Sequence, residues 1–218
     1  MKKIIAIAFA ALVLAGTNAF AQLYPGLGYI NSTFSGQYNG NAIDPEISNG
    51  VYAGASFNVA LPGGLAVAPG LYASYLTNTT EGSGGISGIA TVNSKTVFTE
   101  IALNAPVMVN YTYALNRDAK VFAYAGPTFQ LGLSSKSVNN TKADTAIGSG
   151  SSNSTKDYYA DGDYNKFNIY LGGGVGAEFA KVLVTIGYDY GLMNLYAGST
   201  ENTNYHRANL HIGVGYAF

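Results

Sequence analysis

The strongest constraint on this chain is the alternation in its last residues. Ala208, Leu210, Ile212, Val214, Tyr216 and Phe218 take every second position, with Asn209, His211, Gly213, Gly215 and Ala217 between them. A period of two is the mark of a strand with one apolar face and one polar or small face. In a soluble sheet the apolar face needs a core. In a membrane barrel it faces lipid, and the other face lines the inside.

The rest of the chain repeats the pattern in hairpins. Val51, Ala53, Ala55, Phe57, Val59 and Leu61 form one apolar row, Pro62-Gly63-Gly64 a tight turn, and Leu65, Val67, Pro69, Leu71, Ala73 and Tyr75 the returning row. A three-residue turn sets Leu61 opposite Leu65, so both rows share a face and the register agrees with the pattern. A second hairpin runs from Val97 to Tyr113, turns at Asn116-Arg117-Asp118 and returns from Val121 to Leu131. A third pairs Phe167–Phe179 with Val182–Tyr190 through Ala180-Lys181. With the closing strand, and an opening strand around Gly28 to Gln37 that alternates poorly, the reading is all-β: an eight-stranded antiparallel up-and-down transmembrane β-barrel.

The connections alternate in kind. Those near Pro62, Arg117 and Ala180 are tight, whereas those after Gln37, Asn78, Ser134 and Asn194 are long and rich in Gly, Ser, Thr and Asn. Short turns at one end and long loops at the other fit a bacterial outer-membrane barrel, with the short end periplasmic. The longest stretch, Ser134 to Asp163, has few large apolar residues and is expected to be a mobile, solvated loop. Pro69, Pro106 and Pro127 fall inside strands of a sheet with no edge, so local bulges or shorter strands are expected there.

Charge supports the membrane reading. Glu100, Glu178, Asp189, Arg207 and His211 all share the parity of the face opposite the apolar row, as do Lys120 and Lys166 at strand ends. On the lipid face near the midplane a Lys or Arg would cost about 2–4 kcal/mol. Only 11% of residues are charged, against roughly 25% in soluble domains. Outward aromatics should then sort to the two interfaces. Tyr111, Tyr113, Phe179, Tyr216 and Phe218 fall at the short-turn end, and Tyr75, Tyr188, Tyr190 and Phe167 at the long-loop end.

Residues 1–21 read as a signal peptide: Met1-Lys2-Lys3, an apolar run from Ile4 to Ala15, and Ala19-Phe20-Ala21 as the cleavage site. Residues 22–218 are then the barrel domain. The chain contains no Cys, which rules out disulfides and thiolate metal sites. Its net charge is −1, and loss of Lys2 and Lys3 makes it more acidic, so nucleic-acid binding is not expected.

In Thr99–Leu103, Leu171–Glu178, Gly187–Leu195 and Gly213–Phe218 the chain resembles the outer-membrane β-barrel domain family, akin to the small OmpA-like and OmpX-like barrels. The resemblance covers essentially all of the sequence after the signal segment. It implies a barrel embedded in outer-membrane lipid, with Phe218 as the signal offered to the barrel-assembly machinery. It also implies no catalytic set and no cofactor.

An eight-stranded barrel is just wide enough for side chains to fill, so no open pore is expected. Asp189 and Arg207, on neighbouring strands and both inward, are expected to form a cross-strand ion pair. Glu100 sits at similar height, and Glu178 and His211 complete an interior polar network. The alternative is an outer-membrane lipid-modifying or proteolytic barrel enzyme centred on His206, near Ser199 and Thr200. No spacing typical of such enzymes is present. The odd separation of His206 and His211 puts them on opposite faces, against a shared metal. Gly172-Gly173-Gly174-Val175-Gly176 lacks the strand–turn–helix context of a phosphate loop, and its inward glycines are expected to make room for rings such as Tyr124 or Tyr170. Asp144-Thr145-Ala146 matches a short O-glycan acceptor. The functional expectation is a monomer that is not an enzyme, with a structural, adhesive or surface-interaction role through its loops toward an extracellular partner.

Overall fold

The computed structural model describes residues 21–86, 90–145, 148–198 and 200–218; residues 1–20 of the expected signal peptide lie outside them. Ten strands follow in order: β1 (Ala21–Tyr38), β2 (Asn41–Ala42), β3 (Glu46–Ala60), β4 (Leu65–Ile86), β5 (Ala90–Ala114), β6 (Ala119–Thr145), β7 (Gly148–Asp157), β8 (Phe167–Phe179), β9 (Val182–Gly191) and β10 (Asn204–Tyr216). Eight of them close a ring, β1-β3-β4-β5-β6-β8-β9-β10 and back to β1, each pair antiparallel. β2 and β7 are short additions on β1 and β6. Among the described residues no helix is long and apolar enough to cross a membrane.

Closure rests on β1 and β10, paired from Gly26↔Gly215 to Gln37↔Asn204. The last backbone N–H groups are also held, Ala217 N by Lys181 O (2.8 Å) and Phe218 N by Leu23 O (3.2 Å). β1 is longer than Gly28 to Gln37 because its lower half alternates with glycine. Leu23, Leu27 and Tyr29 face out, while Gly26 and Gly28 face the lumen. A Cβ on Gly28 would strike the Tyr52 ring and the Ile212 carbonyl. Further up, Phe34 is turned inward against Tyr164 and Tyr205, and it is this inward ring that spoils the alternation.

The tight turns are built as their residues require. Leu61 N bonds Leu65 O at 2.7 Å around Pro62–Gly64, where Gly63 and Gly64 take φ of 79° and 80°. Ala180 and Lys181 take φ of 47° and 76°, the mirror-image turn that matches strand twist. Asn116 caps its own turn, its Oδ1 accepting from Asp118 N (2.9 Å) and Ala119 N (2.8 Å).

The prolines neither shift the register nor shorten the strands. Instead, bridge pairing lapses for two residues in each of three successive ladders. These gaps lie between Ser56↔Gly70 and Val59↔Val67, between Pro69↔Val107 and Tyr72↔Asn104, and between Pro106↔Thr128 and Val109↔Ala125. Each gap spans one proline (Pro69, Pro106 or Pro127), because a proline has no N–H to give. Among the described residues the one register shift falls elsewhere, between Ile101 and Ala102, which pair with Ser134 and Gly132 and leave Leu133 as the extra residue. Leu133 keeps the outward side of Leu131, and beyond the bulge the parity reverses, so that Ser135 takes the lumen side, fully buried.

The stretch from Ser134 to Asp163 is not a loose loop. β6 runs on to Thr145 and turns back as β7, in register from Lys136↔Asp157 to Thr145↔Gly148. β4 and β5 extend beside it, joined by a Glu81–Lys95 ion pair at 2.8 Å. The result is a four-stranded arm beyond the apolar belt. Both its faces meet water, so it needs no apolar alternation, and a reading based on that alternation misses it. Its inner backbone groups are satisfied by the ladders, and its two outer edges face water.

Candidate functional site

All nine aromatics expected at the interfaces, Tyr75, Tyr111, Tyr113, Phe167, Phe179, Tyr188, Tyr190, Tyr216 and Phe218, are exposed on the outer wall. Tyr29 and Phe129 join them; both follow the outward parity of β1 and β6. Tyr29 donates its hydroxyl to Asn49 Oδ1, the amphipathic behaviour of an interfacial ring.

Inside, the polar residues form three separate groups rather than one network. Uppermost, Arg207 Nη1 donates to Glu100 Oε1. Asp189 is not the partner of Arg207. Its ladder neighbour on β10 is Asn209, whereas Arg207 lies farther up the strand, level with Phe34 on β1. From there the guanidinium crosses the lumen to β5. Around this pair Tyr170 gives its hydroxyl to Gln130 Oε1 (3.1 Å), Gln130 Nε2 donates to Asn104 Oδ1 (3.0 Å), and Asn104 Nδ2 donates to Ser74 Oγ (2.9 Å). Tyr170, Glu100 and Asn168 are at most 2% exposed. This layer reaches across the lumen from β10 to β5.

In the middle, Tyr124 Oη meets His211 Nε2 at 3.1 Å, and His211 Nδ1 faces Asp189 Oδ2 at 3.6 Å. Lowest, at the short-turn end, Lys120 Nζ bonds Glu178 Oε1 at 2.8 Å across β6 and β8. The inward glycines fit this arrangement in detail. A Cβ on Gly174 would meet the Tyr124 hydroxyl, and one on Gly176 the Phe122 ring. Gly172, however, makes room for the Asp189 carboxylate and not for a ring.

Above the Arg207–Glu100 layer an aromatic cap closes the long-loop end. Asp157 Oδ1 accepts from Tyr159 N (3.2 Å) and Ala160 N (3.1 Å), turning the chain sharply after β7. The turn drops Tyr159 over Gly132, where a Cβ would collide with its hydroxyl. Tyr158 stacks on Tyr164 at 4.7 Å and 7°, and Phe34, Tyr164 and Tyr205 pack at 5.1–6.2 Å. Burial pushes the phenols of Tyr159 and Tyr164 up, the former also through the Glu100 carboxylate and the latter through Tyr158. Sequence reasoning missed this cap because its residues come from β1, β10 and the loop between β7 and β8.

His206 points outward. Its ring stacks on Tyr190 at 5.9 Å, and its Nδ1 faces the Gly191 carbonyl at 3.2 Å. Thr200 Oγ1 is engaged with Tyr196 Oη at 2.7 Å; Ser199 lies outside the described residues. Among the described residues no three His, Cys, Asp or Glu side chains gather as a metal set. Thr145 Oγ1 donates to Gly148 O at the arm's tip (2.7 Å), and Ala146 of the acceptor triplet lies outside the described residues.

A closed ring of antiparallel strands, an apolar outer belt with aromatic rims and a polar lumen define an integral outer-membrane β-barrel. The chain belongs to the family described as outer membrane protein beta-barrel domain, whose profile matches residues 18–197. It is therefore a bacterial outer-membrane protein. It is similar to the attachment invasion locus protein Ail of Yersinia pestis, at 12% identity over 91% of this chain and 99% of that one, with a TM-score of 0.37. It is likewise similar to Neisserial surface protein A, at 18% identity over 91% and 99% with a TM-score of 0.42. OprG of Pseudomonas aeruginosa matches at 12% identity over 92% and 96%, with a TM-score of 0.39. No curated protein sequence matches the chain.

Proposed function

We propose that this protein is a closed, monomeric surface barrel with a structural, adhesive or surface-recognition role, rather than an open channel or an enzyme. The observation that carries the reading is the four-stranded polar arm, β4 to β7, standing beyond the lipid-facing belt over a lumen plugged by Glu100, Arg207 and Tyr170. A plugged barrel leaves its outward loops as the part that meets other molecules. Among the described residues the arm keeps one edge of β7 and the upper edge of β4 unpaired, and such edges can accept an extended segment of a partner.

The test pairs two measurements. In planar bilayers the purified barrel should give no discrete conductance steps. Excising residues 137–156 should abolish adhesion of cells that display the protein and leave its heat-modifiable gel migration intact. Open-channel steps, or adhesion unchanged by the excision, would overturn the reading. An enzyme centred on His206 predicts instead that His206→Ala alters the acyl-chain composition of the envelope lipids. No change is expected, given how that imidazole is occupied.

A further inference from the structure

Beneath the plug, the periplasmic half of the lumen is not filled. A cavity of about 230 Å³ lies there, although a barrel of this size can be packed solid by its own side chains. Its walls are mostly apolar: the rings of Tyr24, Tyr52, Tyr72, Tyr124 and Phe122, with Met108. The rings are fixed at angles to one another. Tyr52 meets Tyr72 edge-on at 5.9 Å and 72°, and meets His211 at 6.2 Å and 89°. The underside of Tyr170 and Asn104 closes the top, and Glu178 lies at the periplasmic mouth with its partner Lys120. The space is a blind cup that opens toward the periplasm.

Two polar atoms in this wall have no hydrogen-bond partner among the described residues. Asp189 Oδ1 and Asn209 Oδ1 are both buried, and their residues border the cup. They come from adjacent strands, as direct ladder partners. Both are acceptors. A buried acceptor is costly unless a donor meets it.

We propose that this cup is a ligand site for a small aromatic molecule of one or two rings bearing an N–H or O–H donor. Its ring lies among the tyrosines and its donor faces Asp189 and Asn209. Size, wall and polar end each point to that class. A dry cavity of about 150 Å³ holds benzene, so this one accommodates a second ring. Fixed aromatic walls favour a flat, rigid guest that packs edge-to-face. Acceptors without donors select a guest that brings one. The inference is independent of the surface arm, which lies on the other side of the plug.

The chain carries a built-in pair of reporters: Met108 in the cup wall, and Met193 in the loop after β9, at the opposite end of the barrel. Full-length protein labelled at its methionine methyls, in lipid nanodiscs, is titrated with indole and separately with benzofuran, which has the same shape and no donor. The expected result is a saturable shift of the Met108 methyl with Met193 still, and indole saturating at least about tenfold below benzofuran. Ala68→Phe, which fills the cup from its wall, should remove the saturable shift. Leu183→Trp, at the mouth, serves the same purpose if the first variant fails to regain heat-modifiable migration. A non-saturating drift of both methyls, as expected of a probe dissolving in the bilayer, would overturn the proposal. So would equal affinity for the two probes, or binding indifferent to a filled cup.

Discussion

Arg207 on β10 donates to the carboxylate of Glu100 on β5, the strand diametrically across the barrel, with the two residues 5% and 2% exposed. A charge held this far from water depends on its counter-charge. Arg207→Ala leaves Glu100 buried without one, which is expected to cost about 3–5 kcal/mol, whereas the pair as a whole contributes little net stability. The double substitution Glu100→Leu with Arg207→Met should therefore recover most of that loss. Denaturant unfolding in lipid vesicles, followed by gel migration, measures both. Equal destabilisation by the single and double variants would show that the layer acts through shape and not through its charges.

The same pair shows what the sequence could convey. Inward parity was legible for Glu100, Glu178, Asp189, Arg207 and His211, because a strand has a period of two and lipid penalises the other choice. Partners were not. Sequence order gives ladder neighbours, so Asp189 was the natural guess for Arg207, yet contacts across a lumen join strands four places apart in the ring. The lipid belt was readable from Val51 to Phe218 because one solvent imposed one rule on every second residue. The arm from Ser134 to Asp157 was not, because water on both faces imposes no such rule. The cap was hidden for a third reason: Phe34, Tyr164 and Tyr205 meet only once the ring has closed.

The cap rests on a glycine. Gly132 leaves room for Tyr159, whose hydroxyl would lie 2.2 Å from an added Cβ. Gly132→Leu should displace that ring and loosen the segment between β7 and β8. Trypsin added to intact cells is then expected to cut after Lys156 or Lys166 much faster than in the parent protein, with the barrel itself surviving. Unchanged cleavage would mean that the Tyr158–Tyr164 stack alone holds the segment.

Alkaline pH should act through the same cap. Tyr159 and Tyr164 have phenols raised above the ordinary value of 10.0, chiefly by burial. A group whose folded pKa is raised gives its full stabilisation below the unfolded value and loses it as pH rises toward the folded one. Above pH 10.0 the unfolded chain releases these protons first, so stability falls with pH. Unfolding midpoints at about pH 9 and about pH 11 should show that decline, and Tyr159→Phe combined with Tyr164→Phe should make it shallower. A slope identical in the double variant would assign the decline to other groups.

The boundary between belt and arm can be placed by moving one charge. Val175, at the centre of β8, pairs with Ala123 and Ile186 and is 56% exposed on the outer wall. Val138 on β6 is also exposed, but pairs with Val97 and Thr155 inside the arm. By exposure alone both valines, 56% and 36% exposed, are surface residues. If lipid surrounds the first and water the second, arginine should cost about 2–4 kcal/mol at Val175 and near zero at Val138. Unfolding midpoints of Val175→Arg and Val138→Arg in vesicles measure the difference directly. Similar losses at both would place the membrane higher on the strands and turn the lower part of the arm into wall. Two near-zero values would remove the lipid belt from β8 altogether.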